Sequence, residues 1–237
     1  MSFQDRIVVI TGATGALGRV VARQFADQGA NLALFSRSGE NLKSMVADLE
    51  LPRERVVISA VDIGDETSLQ TAIAKVVDRF GRLDILIHLV GGWTGGATVI
   101  DTDTDTVAEM LDQHLWTTYQ LSKYAIPQLI ENRWGRLIVI STPFADRPAA
   151  KLGAYSIAKA AQETLMLTLS EELKGSGVTA NILRVKTIDI AHEKITAPSA
   201  ENVYWSTPEE ISSAALYLCT DQAAAINGAR IPLYGSY

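Results

Sequence analysis

The chain has 237 residues, 47% of them hydrophobic and 20% charged, which suits one α/β unit with a sizeable core. Its formal net charge of −6 and the lack of a basic stripe argue against nucleic acid or an anionic membrane as partner. The single cysteine, Cys219, excludes a disulfide within the chain and reads as a small buried hydrophobe.

The first apolar run, residues 7–10, is too short for a signal peptide and has an acid before it. No later stretch reaches the length of a membrane span, so a cytoplasmic protein is expected. Apolar runs rich in Val, Ile and Leu predict strands at 7–10, 31–36, 56–62, 83–90, 136–141, 178–185 and 229–234. Amphipathic stretches between them predict helices at 17–28, 40–49, 66–80, 104–132, 152–174 and 208–220. Gly29, Gly81, Gly135 and Gly177 stand where helix-ending glycines belong. Residues 187–207 lack a period and contain Pro198, which predicts a loop or a short lid. No break in composition divides the chain. One doubly wound parallel sheet of about seven strands, with helices on both faces, is expected over residues 1–237.

In such a sheet ligands sit at the carboxyl ends of the strands. The first run ends in Thr11-Gly12-Ala13-Thr14-Gly15-Ala16-Leu17-Gly18, a Gly-rich turn opening a helix. Backbone approach at Gly12, Gly15 and Gly18, and the free N–H groups from Leu17 onward, suit a pyrophosphate. The turn therefore predicts a Rossmann-type site for a nicotinamide dinucleotide. The second run ends in Ser36-Arg37-Ser38 with no acid, which points to the 2′-phosphate of NADP(H) rather than the 2′-hydroxyl of NAD(H). Asp62 closes the third run, with Ile63 next to it; Asp62 accepts the adenine amino group, or else Asp62 or Asp65 caps the next helix. Val90 ends the fourth run, Gly91 follows it and Ile188 follows the sixth, completing the expected cofactor contacts.

Tyr155 and Lys159 lie four residues apart on one helix face, and Thr142 precedes Tyr155 by thirteen residues at a strand end. A hydroxyl, a phenol and an ammonium around one carbonyl oxygen suit hydride addition, which leaves charge on that oxygen. A free phenol has a pKa of about 10. One positive charge at about 4 Å contributes roughly 4 kcal/mol at an effective dielectric of about 20, enough to lower that value by about three.

Together these motifs resemble the short-chain dehydrogenase/reductases over essentially the whole length. The resemblance implies Tyr155 as acid/base and Lys159 as the ligand of the nicotinamide ribose that lowers the phenol pKa. It also implies Thr142 as a holder of the substrate oxygen, and a homodimer or homotetramer. Departures from the family pattern are Gly15-Ala16 in reversed order, His88-Leu89-Val90-Gly91 after strand four, Thr142 for serine, and Val185-Lys186 after strand six. His114 stands in place of the relay asparagine. It either carries protons near neutrality or packs at a subunit contact. His88 reads as a packed strand residue, and no spacing suggests a metal site.

The segment Val90-Gly91-Gly92-Trp93-Thr94-Gly95-Gly96 is similar to the dihydropteridine reductases, with Trp93 beside the nicotinamide. The leading expectation is an NAD(P)H-dependent reductase of a C=O or C=N group. A dihydropteridine-reductase-like enzyme is the alternative, and a non-catalytic dinucleotide sensor is the alternative of another class.

Overall fold

The computed structural model describes residues 2–234. Five buried residues form β1 (Ile7–Thr11). Then α1 (Ala16–Asp27), β2 (Asn31–Ser36), α2 (Gly39–Leu49), β3 (Val56–Ala60), α3 (Glu66–Phe80) and β4 (Ile85–His88) alternate. The second half contains α4 (Thr104–Leu111), α5 (Thr117–Glu131), β5 (Gly135–Ser141), α6 (Gly153–Glu172), β6 (Val178–Arg184), α7 (Glu193–Thr196), α8 (Pro208–Leu218) and β7 (Arg230–Pro232). All strand pairs are parallel, in the order β3-β2-β1-β4-β5-β6-β7. This is the expected doubly wound sheet. Strand order reverses between β1 and β4, so the ligand crevice opens past their carboxyl ends.

Alternate strand residues face opposite sides. Val8, Ile10, Leu32 and Leu34 pack with Val21 of α1 and Ile211 of α8. Val9, Ala33, Phe35 and Leu86 pack with Leu69 of α3, Leu121 of α5 and Met166 of α6. Both faces are dry, which is why the strands read as continuous apolar runs. Cys219 belongs to the first of these cores, where burial pushes its thiol pKa up.

Four expectations change in detail. Strand β3 ends at Ala60, and Asp62 instead accepts the Gly64 N–H at 3.0 Å in the turn beyond it. Of the two capping candidates it is Asp65 that caps α3, as its carboxylate accepts the Ser68 N–H at 3.2 Å. Gly135 begins β5 rather than ending a helix: a Cβ there would lie 2.7 Å from Leu129 Cβ, and Arg133 takes the left-handed position instead. The helix expected over 104–132 is divided by a π-helical turn, Asp112–Trp116, where the Thr117 N–H reaches back five residues to the Asp112 carbonyl. Residues 187–207 form a structured loop: Asp189 caps the N–H groups of Glu193 and Lys194 at 2.8 and 2.9 Å, and Ile188 bridges to Ser206.

Candidate active site

The Gly-rich turn leaves β1 at the crevice, and Gly15 is the N-cap of α1. A Cβ on Gly18 would sit 2.4 Å from the Gly12 carbonyl oxygen and 2.6 Å from that of Ala13, so only glycine lets the helix start this close. Beside the turn lies a cavity of about 810 Å³ lined by Gly12, Thr14, Gly15, Ser36, Arg37, Asp62, Ile63, Val90 and Gly91. These belong to the expected cofactor set; the remaining walls are Val61, Gly64 and Leu89 and, from the π turn and the start of α5, Asp112, Gln113, Trp116, Thr117 and Gln120, which are outside it. The Thr14 and Ser36 hydroxyls are bonded at 2.8 Å, and Arg37 is exposed at the end of β2 with no ion pair among the described residues. A cavity this size, lined by a glycine turn at a helix start, fits a dinucleotide.

A second cavity of about 290 Å³ adjoins it, sharing Gly12, Gly15, Val90 and Gly91. Its other walls include Leu17, Gly18, His114, Tyr155, Lys159 and Ile188. The two cavities thus collect every expected site residue except Thr142, which is buried behind Tyr155 and hydrogen-bonded to its hydroxyl. Thr142 sits one residue past β5, where its hydroxyl accepts the Phe144 N–H at 3.4 Å.

The two histidines are buried and neutral. Thr117 donates its hydroxyl hydrogen to the Gln113 carbonyl at 2.8 Å, so His88 Nε2, 3.2 Å away, must be the donor to Thr117 Oγ1. His88 Nδ1 then accepts from the Thr11 hydroxyl at 2.7 Å, and Thr11 Oγ1 accepts the Leu89 N–H. This is the packed strand histidine expected. Burial, with the Lys159 charge next, pushes its pKa down to about 3.

His114 lies in the π turn and is 1% exposed, its ring covered by the chain's own atoms. Its Nε2 donates to the Gly92 carbonyl at 2.9 Å, and its ring stands edge-on to Tyr155 with centroids 5.7 Å apart. A Cβ on Gly91 would meet this ring at 2.5 Å, so the ring occupies the space that a side chain at position 91 would need. Burial and then Lys159 hold its pKa at about 3, so it does not titrate near neutrality.

Tyr155, half-buried, and Lys159, buried, both line the smaller cavity from α6, as their spacing predicts. Burial raises the Tyr155 pKa, opposed by its bond to Thr142. Burial also lowers Lys159 to about 7, with Glu163 partly restoring its charge. The lysine donates to the Ile140 carbonyl at 2.7 Å and to Gln162 Oε1 at 3.0 Å. Glu163, one turn further on, is itself held by Arg184 through two bonds of 2.9 and 2.6 Å and by Arg230 at 2.7 Å. Arg184 also binds Asp146 at 2.8 Å, tying β6 to the segment that follows Thr142.

Thr118, Gln162, Glu163 and Arg184, none of them expected from the sequence, complete the network around Lys159. The i+3 and i+4 positions after Lys159 were the available signal for two of them. Trp93 lines neither cavity: it is 65% exposed, and with Leu152 it flanks Gly95. Among the described residues no group of His, Cys, Asp and Glu could hold a metal ion, and no helix is long and apolar enough to cross a membrane.

A family model described as short chain dehydrogenase matches residues 6–198. Meso-2,3-butanediol dehydrogenase of Serratia marcescens is 28% identical, over 99% of this chain and 95% of its own length. A short-chain type dehydrogenase/reductase from Mycobacterium ulcerans is similar in structure with a TM-score of 0.87 at 25% identity, over 98% of this chain and 89% of the other. A short chain dehydrogenase from Bacillus anthracis gives 0.87 at 26% identity, over 98% and 95%.

Proposed function

The chain belongs to the short-chain dehydrogenase family, and we propose that it is an NADP(H)-dependent reductase of a carbonyl or C=N group, with Tyr155 as its acid/base. The observation that carries the reading is the meeting of Tyr155, Lys159 and the Gly-rich turn on two cavities that share walls. The protein acts as one domain over 1–237, in the cytoplasm, as a homodimer or homotetramer on a small-molecule substrate.

Gly12, Thr14, Gly15, Leu17 and Gly18 hold the pyrophosphate on the N–H groups opening α1. Arg37, with Ser36 and Thr14 beside it, holds the 2′-phosphate, since an exposed and unpaired guanidinium is free to make charge-assisted bonds. Asp62 and Ile63 border the adenine, and Val90, Gly91 and Ile188 the nicotinamide end. When bound, the cofactor supplies a hydride to the substrate carbon. The Tyr155 hydroxyl delivers the proton to the substrate oxygen, and the Thr142 hydroxyl, bonded to Tyr155, orients the phenol. Lys159, carrying its charge beside the phenol, opposes the effect of burial on Tyr155 and engages the nicotinamide ribose. His114, neutral and locked to Gly92, shapes the wall against which the substrate lies rather than carrying protons.

The test is nucleotide oxidation across carbonyls, quinones and quinonoid dihydropterins, together with oxidation of meso-2,3-butanediol. Tyr155→Phe should lose turnover while NADPH binding persists. A Tyr155→Phe variant with unchanged turnover would overturn the assignment. Activity confined to quinonoid dihydropterins would favour the dihydropteridine-reductase-like reading, and binding without turnover on any compound the sensor.

A further inference from the structure

We propose that Gln162, held in place by Thr118 of α5, is the positioning residue that aims the Lys159 ammonium. The inference rests on the reading of Lys159 as part of the site. An ammonium has three N–H donors. Two are committed, one to the Ile140 carbonyl at the end of β5 and one to Gln162 Oε1. One remains for the cavity that Lys159 lines.

The orientation of Gln162 is unique. Thr118 donates its hydroxyl hydrogen to the His114 carbonyl at 2.6 Å, so its oxygen can only accept, and it accepts from Gln162 Nε2 at 2.9 Å. Turning the amide over would set its NH2 against the ammonium and its carbonyl against a hydroxyl whose hydrogen is already given. Every donor in the chain Lys159, Gln162, Thr118 therefore points away from the lysine. The negative end of each dipole faces the charge, and the bonds polarise one another. Gln162 is 1% exposed and Thr118 likewise, so solvent does not screen the arrangement.

No free carboxylate competes for the job. On α6 the lysine faces Tyr155 and Glu163, and Glu163 is neutralised by Arg184 and Arg230. From β4 and the π turn it faces His88 and His114, both uncharged at neutral pH. The bonds made directly to the ammonium thus come from neutral acceptors, with Glu163 adding a longer-range pull, on a lysine that burial brings to about 7. Removing one of them should move that charge across the working pH.

Lysine-selective NMR of the whole chain reads the Lys159 titration without reference to any substrate. Gln162→Leu should lower its midpoint by about one to two pH units, the size of one charge-assisted hydrogen bond. Thr118→Val should lower it less, and Gln162→Glu should raise it above the parent. In turnover, Gln162→Leu should cut kcat about tenfold while the substrate KM stays within about threefold. A residue that only fills space would reduce thermal stability in these variants and leave the titration unmoved, and that result would overturn the proposal. Should the Leu variant fail to fold, a parent-like midpoint in Gln162→Glu and Thr118→Val would overturn it equally. The two readings fail separately. Retained turnover in Tyr155→Phe sinks the reductase assignment, whereas an inactive Tyr155→Phe with an unmoved Lys159 midpoint in the Gln162 variants sinks the positioning role alone.

Discussion

Arg37 follows β2 and Arg184 ends β6, so both guanidiniums start from the carboxyl edge of one sheet. Arg37 is exposed on the larger cavity and has no carboxylate partner among the described residues. Arg184 is 7% exposed and spends its donors on Glu163 and Asp146. Position at the ligand edge therefore does not decide use. The number of donors left over does: the first arginine is open to a phosphate, and the second fixes α6 against β6 and the segment beyond Thr142.

Breaking the buried side should have the largest effect. Arg184→Ala leaves the Glu163 carboxylate buried with only Arg230, which should cost about 3–5 kcal/mol. Calorimetry should show Tm falling by about 10 °C or more. The opposite assignment of the two arginines would show instead as an unchanged Tm and lost nucleotide affinity.

The buried side also carries an acid limit. His88 and His114 have folded-state values of about 3, below the ordinary 6.5, so the unfolded chain takes up their protons first as pH falls. Their stability is fully present above about pH 6.5 and is lost toward pH 3. Urea denaturation at pH 5 should show a loss of about 2 kcal/mol for each histidine relative to pH 7.5. His114→Asn should remove about half of that dependence.

The exposed side sharpens the comparison through binding rather than stability. Arg37→Ala should weaken NADPH about tenfold and leave NADH and Tm unchanged, as titration calorimetry can check. Smallest of all, Thr14→Val removes the hydroxyl pair with Ser36. It should change nucleotide affinity only a few-fold, the scale of one neutral hydrogen bond.

The arginines also mark where sequence suffices. The Gly-rich turn, Arg37 and the Tyr155–Lys159 spacing are legible because backbone sterics, exposure and helix period act locally. The strands are legible because a sheet dry on both faces leaves unbroken apolar runs. The π turn is not, since its residues keep a helical pattern and Thr117 and Thr118 bond carbonyls four residues back as they would in any helix. Arg184 and Gln162 gain their meaning only once β6, α5 and α6 are brought together. The ionisation of Tyr155 is not legible for the same reason: a nearby lysine can be counted from spacing, but the desolvation of the phenol and of the ammonium cannot.

The π turn has one more effect, on the phase of the helix. An α-helix rotates by about 100° per residue. Before the turn, Met110 packs on Ala154 and Ala158 of α6, and after it, Leu121, Ala125 and Leu129 pack on the sheet. The turn sets the angle between those two apolar stripes. Deleting a single residue from 112–116 would swing Met110 about 100° around the axis, off α6 and away from the helix that carries Tyr155. The stretch works as a spacer whose length matters more to its neighbours than most of its side chains.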